Sequence, residues 1–207
     1  MKKQLLNYET MIRLTKAISH SKDPEEVALM TVESITNALR VKGCTVFLVN
    51  KATHELEVAA SFGLSKDYIA KGPLSSLKSI ADSLDQGPVA IYDVTDDPRL
   101  QYPEAAKREG ISSILSVPIV AGGHTIGVLR VYTAEPWEFS LDDVNFVQAM
   151  ATLTGMSIVM ARNYKGLKDS IGILKTMKDP KAVKSKRRTP YEGVPVSILP
   201  GSDVSAY

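Results

Sequence analysis

Two apolar segments joined by a pair of glycines constrain this chain more than any other feature of its sequence. The segments 111–120 (ISSILSVPIV) and 124–134 (HTIGVLRVYTA) are rich in β-branched residues, which favour extended strands. Gly122 and Gly123 between them tolerate the positive φ angles that a tight hairpin requires. The sequence therefore predicts an antiparallel β-hairpin over 111–134.

The rest of the chain alternates between strand-like segments and helical spacing of apolar residues. The segments 44–50 (CTVFLVN) and 55–62 (ELEVAASF) indicate a second hairpin, and 88–93 indicates a further strand. Helical spacing covers 5–18, 24–39 and 75–86, and a long helix is expected from Ser140 to Met177. Because hairpins join the strands and the helices lie at the ends and in one insertion, we predict an α+β fold with a central antiparallel sheet of five to six strands.

Length and composition suggest one domain with appendages. The 207 residues include a basic run between Lys178 and Arg188, with six basic residues and one acidic residue. This run lies in a segment that contains several prolines and cannot bury enough apolar surface to fold alone. We therefore expect an N-terminal helix over 1–20, a domain over 21–165, a helix extension over 166–177 and a basic, proline-containing tail over 178–207.

The charge and cysteine content exclude several classes of protein. The formal net charge is +2, and most of the positive charge lies in the tail, so the folded part lacks the basic surface that nucleic-acid binding needs. A single cysteine, Cys44, permits no internal disulfide and favours a reducing compartment. We find neither an apolar run long enough to span a membrane nor a signal peptide. We therefore expect a cytoplasmic protein with no nucleic-acid partner and no membrane span.

Three stretches of sequence, in their order and spacing, resemble the GAF domain, a small-molecule-sensing module of signalling proteins. They are 91–100 (IYDVTDDPRL), 109–131 (EGISSILSVPIVAGGHTIGVLRV) and 138–158 (EFSLDDVNFVQAMATLTGMSI). The resemblance covers roughly 10–165. It implies a central antiparallel sheet with the terminal helices on one face. It places a ligand pocket on the other face, beneath short roof helices.

The same resemblance argues against the specialised members of the family. Thr133 and Ala134 occupy the stretch where cyclic-nucleotide-binding members usually carry an Asn-Lys pair, and Cys44 is too early in the chain for a bilin thioether. The family's methionine-sulfoxide-reducing enzymes rely on several cysteines. No histidine is placed as a haem ligand, and no metal-ligand cluster or nucleophile–base pair is evident. We therefore predict no metal, haem or bilin cofactor and no enzymatic activity.

Arg130 interrupts an apolar strand that should be covered on both faces, where alternation groups it with Ile126, Val128 and Tyr132. A buried guanidinium needs a partner, which could be Asp93 or an anionic ligand. Alternatively, the side chain could reach water at the edge of the sheet. The family resemblance adds further pocket candidates, in the segment that borders the pocket and in its roof. The full candidate set is Phe62, Tyr68, Ile80, Ile91, Asp93, Val94, Arg99, Tyr102 and Arg130.

We expect a sensor that binds an unknown small-molecule effector and shifts the population of its terminal helices. Its output would be a homodimer through the helices Leu5–Ile18 and Ser140–Met177, a partner signalling protein, or a domain outside this chain. Two apolar stripes on the long helix favour the dimer, because one stripe suffices to cover the sheet. We expect a partner to bury the second stripe, which consists of Val144, Val147, Ala151, Thr154 and Ile158. The alternative is a dimerisation and protein-interaction module without a ligand.

Overall fold

A computed structural model describes residues 2–21, 23–50, 52–53, 55–72, 74–75 and 87–178. Five helices lie among these residues: α1 (Lys2–His20), α2 (Pro24–Leu39), α3 (Lys66–Ile69), α4 (Pro103–Glu109) and α5 (Leu141–Lys178). The strands are β1 (Gly43–Asn50), β2 (Glu55–Phe62), β3 (Leu74–Ser75), β4 (Val89–Ile91), β5 (Ser113–Ala121) and β6 (His124–Thr133). The helix predicted over 75–86 lies almost wholly outside the described residues, as does the tail from 179 onwards.

The six strands form one antiparallel sheet in the order β3-β2-β1-β6-β5-β4. The predicted α+β class and antiparallel sheet are thus confirmed, and β3 is the strand that sequence patterning did not identify. The two predicted hairpins, β1–β2 and β5–β6, are joined through β1 and β6 at the centre. Close approach of these strands requires Gly127, because a Cβ there would lie 2.1 Å from the carbonyl oxygen of Phe47.

The main hydrophobic core, which we call the helix-side core, lies between one face of the sheet and the helices α1, α2 and α5. The sheet contributes buried side chains from its central strands, including Val46, Leu115 and Leu129. Val32 and Ile35 from α2 and Met150 from α5 pack into the same cluster with no exposed surface. Burial of apolar area of this kind is the main favourable contribution to folding. The opposite face of the sheet is therefore the one left to α3, α4 and their loops.

A bulge near the β5–β6 turn changes which face Ile126 occupies. Ile119 pairs with Gly127 and Val120 pairs with Thr125, so Ile126 is an extra residue on β6. An extra residue interrupts the two-residue alternation of side chains. Ile126 consequently packs against the helix-side core, and the prediction that it shares a face with Arg130 was wrong.

The start of α5 is fixed by a reciprocal cap. The Ser140 hydroxyl accepts a hydrogen bond from the Asp143 backbone N–H at 3.3 Å, and Asp143 Oδ2 accepts from the Ser140 N–H at 3.1 Å. This is the capping-box arrangement with aspartate in the acidic position. Asp143 therefore has the structural role that the sequence pattern favoured, and its carboxylate belongs to the helix start.

The burial of Ile158 contradicts the expectation that one of the two apolar stripes on α5 needs a partner. Val147, Ala151, Thr154 and Ile158 have no exposed surface and pack inside the domain's own core. Phe146 and Met150, from the other stripe, are buried as well. The helix therefore faces its own sheet and α2 with a wider apolar surface than expected, and the Ile158 stripe is not available to a second copy.

By internal contacts the chain divides into two units, 1–166 and 167–207. Within the described residues, the segment Leu141–Thr176 is long and apolar enough to cross a membrane on length and composition alone. However, 44% of its most apolar 18-residue window is buried, and core helices of globular proteins pass the same test of length and composition. The helix is consequently only weak support for a membrane span.

Candidate functional site

A row of polar side chains crosses the sheet on the face opposite the main core. Ser61, Thr45, Arg130 and Ser116 are successive cross-strand neighbours on β2, β1, β6 and β5. Directly opposed residues in antiparallel strands point to the same face, so the four side chains form one polar rung. Thr45 and Ser116 have no exposed surface, and Arg130 is 2% exposed. We refer to these four residues as the polar rung.

Neighbouring side chains hold the Arg130 guanidinium in this row. Its Nε donates to Ser116 Oγ at 3.4 Å, and its central carbon lies 5.3 Å from the centroid of the Phe47 ring. The Thr45 and Ser61 hydroxyls are 3.1 Å apart at the other end of the rung. Since Arg130 is buried, its side chain does not reach water at a sheet edge, which removes one of the predicted explanations.

Asp93 is not the carboxylate partner that the sequence suggested for Arg130. It lies in a solvent-exposed turn, where Oδ1 accepts from the backbone N–H of Thr95 at 2.8 Å and from its hydroxyl at 2.7 Å. These hydrogen bonds lower the pKa of Asp93. The aspartate is therefore a turn-forming residue.

A second cluster of buried side chains covers the sheet beside the polar rung. Tyr132 of β6 is 1% exposed, and its ring meets the ring of Tyr68 edge-on at a centroid distance of 5.8 Å. Ile91 and Val94 pack into the same cluster. The structure thus brings together Tyr68, Ile91 and Val94, three of the predicted pocket residues.

Above this cluster, α3 and α4 enclose a cleft of about 670 Å³, which we call the roof cleft. Predicted residues Tyr68 and Tyr102 both line it. The Tyr102 hydroxyl lies close to Gly72 in the loop after α3. A Cβ on Gly72, whose φ is +130°, would lie only 2.8 Å from that hydroxyl. The remaining lining is mostly polar: Ser65, Asp67, Lys71, Gln101, Pro103, Glu104, Ala105, Arg108 and Glu109.

Lys71, in the loop after α3, lines the roof cleft. Its Nζ lies 3.6 Å from the centroid of the Tyr68 ring and donates to the Tyr68 carbonyl at 3.0 Å. Burial, reinforced by the positive charge of Arg130, lowers the pKa of Lys71 to about 8, while Glu109 acts in the opposite direction. The positive charge of Arg130 in the polar rung therefore contributes to the lowered pKa of Lys71 in the cleft.

Other predicted residues lie apart from this region. Phe62 pairs with Cys44, whose side chain belongs to the helix-side core, so Phe62 is on the sheet face away from Arg130. Arg99 forms an ion pair with Asp97 and donates to the Ala90 carbonyl of edge strand β4 at 3.3 Å. Ile80 lies outside the described residues.

The structure adds site residues that the sequence reasoning did not select. They are Thr45, Ser116, Lys71 and Tyr132, of which the first two occupy interior positions of apolar strands. The available signal was their polarity at the positions directly opposite Arg130, which could be read only once the strand register was known. No comparable signal marks Lys71, because a single lysine in a loop is ordinary in any sequence.

The lone cysteine lies in a setting that suppresses thiol chemistry. Cys44 is fully buried in the helix-side core, and this burial raises the pKa of its thiol. A protonated, inaccessible thiol is a poor nucleophile and a poor metal ligand. Within the part of the chain that the structure describes, no group of His, Cys, Asp and Glu side chains could hold a metal ion.

Comparison with known proteins identifies the architecture. A family model described as the GAF domain matches residues 21–159. No curated protein sequence matches this chain. Solved structures similar to it include the GAF domain of a phosphoenolpyruvate-protein phosphotransferase from Coxiella burnetii, which is 19% identical with a TM-score of 0.70. The match covers 79% of this chain and 98% of that one.

Two further similar structures differ in the activity that their descriptions name. The free methionine-R-sulfoxide reductase from Neisseria meningitidis, solved with its substrate, is 18% identical with a TM-score of 0.67, over 78% of this chain and 93% of that one. Residues 122 to 287 of a methyl-accepting chemotaxis protein are 23% identical with a TM-score of 0.62, over 73% and 98%. At these identities the likeness establishes the fold.

Proposed function

Because this chain belongs to the GAF domain family, whose members are generally sensory or regulatory, we propose that it binds a small-molecule effector and transmits occupancy through its terminal helices. The observation that carries the proposal is the polar rung, which places a buried guanidinium in the middle of the sheet face opposite α1, α2 and α5. A guanidinium attracts anionic and polar groups, so a polar effector would bind favourably at this position. We place this sensor in the cytoplasm, in keeping with its lone cysteine.

The positions of the rung and the roof cleft support one binding region. Tyr68 lines the cleft and also packs on Tyr132. Tyr132 is the next residue after Arg130 on the same face of β6. A ligand that displaces or orders α3 and α4 would act directly on these aromatic contacts. The effect would reach the helices through β1 and β6, whose other faces contribute Val46, Leu129 and Val131 to the helix-side core.

The test is native mass spectrometry of the protein purified from its own host, in which we expect a retained small molecule. A matched pair of variants locates the site. Thr45→Val removes a buried hydroxyl from the polar rung, whereas Thr154→Val removes a buried hydroxyl from the helix-side core. Thr45→Val should lose the molecule and Thr154→Val should retain it. Equal retention in both variants would place the effector elsewhere.

For the output we propose a homodimer formed through α1 and α5. In the first unit, both helices expose large apolar side chains: Tyr8 and Ile12 on α1, and Met156, Met160 and Tyr164 on α5. The second unit separately exposes Leu167, Ile171, Ile173 and Leu174. A two-fold pairing of identical apolar helices would remove such side chains from water. The side chains of Leu5, Ile18 and Met177, which the sequence also assigned to this surface, lie outside the described ones.

Sedimentation equilibrium tests the dimer. The double variant Ile12→Lys and Met160→Lys should be monomeric at tens of micromolar, because each charge would be buried at the two-fold interface. Tyr92→Lys is the matched control, since Tyr92 is an exposed apolar residue in the loop after β4. A wild-type protein that is already monomeric at this concentration would refute the proposal.

A second candidate function is a dimerisation module without a ligand. The observation that favours it is that buried side chains already cover the sheet face opposite α1, α2 and α5. Phe47, Leu56, Leu74 and Val128 form a buried cluster there, beside the one that contains Tyr68 and Tyr132. A sheet face already covered by its own side chains needs no effector for stability. Dimeric protein that retains no small molecule, and is stabilised by none in a thermal-shift screen, would select this second function.

A further inference from the structure

The last part of α5, which belongs to the second unit, exposes large apolar side chains to solvent. Leu167, Ile171 and Leu174 are each more than half exposed. Because an α-helix turns by about 100° per residue, these three side chains lie within about 60° of one another around the helix. They form one narrow apolar surface, which we call the distal stripe. A contiguous apolar surface in contact with water marks a site of interaction.

Charged side chains are distributed unevenly around the distal stripe. Lys168 and Lys175 are exposed and lie next to the stripe, about 40–60° beyond Ile171. Asp169 and Thr176 are exposed on the opposite side of the helix. Lysines at the border of an apolar face can cover it with their methylene groups and keep their ammonium groups in a polar layer. An apolar face with a cationic border is typical of a helix that lies on a membrane surface.

The sequence continues this positive charge directly after the stripe. The segment 167–188 contains eight basic and two acidic residues, a local formal charge of +6, whereas the whole chain has a formal charge of +2. Clusters of about four to eight basic residues beside an amphipathic helix are attracted to anionic lipid headgroups. The apolar stripe and the basic run therefore favour the same kind of surface.

Charge also distinguishes a lipid surface from a second copy of this chain. Pairing of two copies along 167–174 would bring two segments of charge +6 side by side. Asp169 is the only acidic residue in 167–178, and it lies on the side of the helix away from the stripe, so neither copy offers a carboxylate to the other's lysines. Two such segments repel each other, whereas an anionic bilayer attracts both. The variants that test the proposed dimer, at Ile12 and Met160, lie in the first unit.

We propose that the distal stripe, together with the basic run that follows it, binds the surface of an anionic lipid bilayer. The helix lies in the plane of the interface, with the stripe against the acyl chains and the lysines among the phosphates. It does not span the bilayer here, because Lys168, Asp169 and Lys175 would carry charge into the hydrocarbon. This inference goes beyond the proposed sensory function and does not depend on an effector in the roof cleft. Such binding would bring the sensor to the cytoplasmic face of a membrane, where anionic lipids create a negative surface potential.

Vesicle sedimentation tests the proposal with the full chain. One set of vesicles contains phosphatidylcholine alone, and the other contains phosphatidylcholine mixed with anionic phosphatidylglycerol. We expect the protein to bind the anionic vesicles at least about tenfold more tightly than the neutral ones. Binding should weaken as salt is added, because salt screens the attraction between the basic residues and the headgroups. Equal binding to both sets, or binding to neither, would overturn the proposal.

A matched pair of variants tests the apolar stripe. Leu167→Gln combined with Leu174→Gln should weaken binding to anionic vesicles at least about tenfold, because two apolar side chains no longer enter the acyl layer. Ile173→Gln is the control, since Ile173 is 61% exposed on the same helix but lies about 140° from the centre of the stripe. It should leave vesicle binding unchanged. All of these positions are exposed and glutamine is a good helix former, so the fold is retained. Equal losses in the double variant and in Ile173→Gln would contradict the role of the stripe.

A second matched pair tests the charge. Lys168→Gln combined with Lys175→Gln should weaken binding to anionic vesicles about twentyfold, since each lysine near such a surface contributes a factor of about five. Lys66→Gln combined with Lys107→Gln changes the net charge equally, but it does so at exposed lysines of the first unit. The control should bind vesicles as the wild-type protein does. A loss of the same size in both double variants would show general electrostatic attraction and contradict the proposed site.

Two further measurements separate lipid from other occupants of this surface. In sedimentation equilibrium without lipid, the Leu167→Gln and Leu174→Gln variant should keep the oligomeric state of the wild-type protein. Its dissociation to monomers would show that a second copy covers the stripe and would overturn the proposal. Tighter binding to duplex DNA than to anionic vesicles, at the same salt concentration, would also overturn it. The small molecule sought by native mass spectrometry is independent of these results, so their failure would leave the proposed sensory function intact.

Discussion

The hydroxyls of Thr31 and Thr154 lie 2.9 Å apart in the core and join α2 to α5. Each hydroxyl also points at the carbonyl one turn earlier in its own helix, Val27 at 2.9 Å for Thr31 and Met150 at 2.7 Å for Thr154. Two hydroxyl hydrogens thus serve three contacts, so the bond between the helices competes with the two bonds within them. Both side chains have no exposed surface.

This pair predicts non-additive effects on stability. Thr31→Val and Thr154→Val should each lower the free energy of unfolding by about 1 kcal/mol, because each leaves the other hydroxyl with one partner fewer. The double variant should cost less than the sum, since two methyl groups pack in place of two polar groups. Urea unfolding of the four proteins gives the coupling energy. An additive double variant would mean that the two hydroxyls do not interact.

Substitution of alanine for two glycines in α5 should have opposite effects on the free energy of unfolding. A Cβ on Gly155 would lie 2.9 Å from Ile119 Cγ2 and from the Val120 carbonyl oxygen, whereas a Cβ on Gly172 meets nothing within 4 Å. Gly155→Ala should therefore lower the free energy of unfolding by about 1–3 kcal/mol through overpacking. Gly172→Ala should keep stability or raise it by up to about 1 kcal/mol, because alanine favours the helix. Chemical denaturation monitored by circular dichroism measures both, and a stabilising Gly155→Ala would contradict the tight contact of helix and sheet.

The lysine in the roof cleft should make stability depend on alkaline pH. The pKa of Lys71 is about 8 in the folded protein and 10.5 when the side chain is fully solvated. Between these pH values the unfolded chain binds more protons, so the free energy of unfolding rises with pH. After allowance for solvent screening, we expect a rise of about 1 kcal/mol that Lys71→Met lacks. Lys107→Met is the control and should follow the wild-type pH profile in urea unfolding.

Cys44 should be unreactive in the folded protein. Its burial excludes reagents and its raised pKa leaves little thiolate at neutral pH. A thiol reagent at pH 8 should therefore modify Cys44 at a rate set by unfolding, and the rate should increase sharply in urea. Mass spectrometry of the alkylated protein measures this rate. Rapid alkylation under native conditions would reopen the question of thiol chemistry in this domain.

The main elements of the fold could be predicted because their signals are local. Glycines at a turn and the apolar strands around them define the β5–β6 hairpin, and Asp23-Pro24 and Ser140 mark helix starts without reference to the rest of the chain. Strand β3 has only two residues, and its pairing with β2 leaves no pattern in the sequence. Ile126 was misplaced because a bulge is decided by the partner strand.

The candidate site depended on long-range register and was only partly predictable. Arg130 is conspicuous as a charge in an apolar strand, but Thr45 and Ser116 become its neighbours only through pairings across 85 and 14 positions of sequence. Lys71 acquires its lowered pKa from burial and from Arg130, and a loop sequence contains neither cause. Ile158 was assigned to a free surface because helical periodicity does not show how wide a face the sheet and α2 can cover.

The polar rung also has a consequence for how the sheet assembles. Side chains alternate between faces, so a slip of β6 by one residue against its neighbours would turn Arg130 towards the positions held by Leu129 and Val131. A guanidinium there would sit among aliphatic side chains with no hydroxyl beside it, while leucine and valine would face the serine and threonine hydroxyls. The rung thus favours the native register of the four strands it crosses. Misregistered pairing is energetically unfavourable as soon as the hairpins meet, before any ligand can bind.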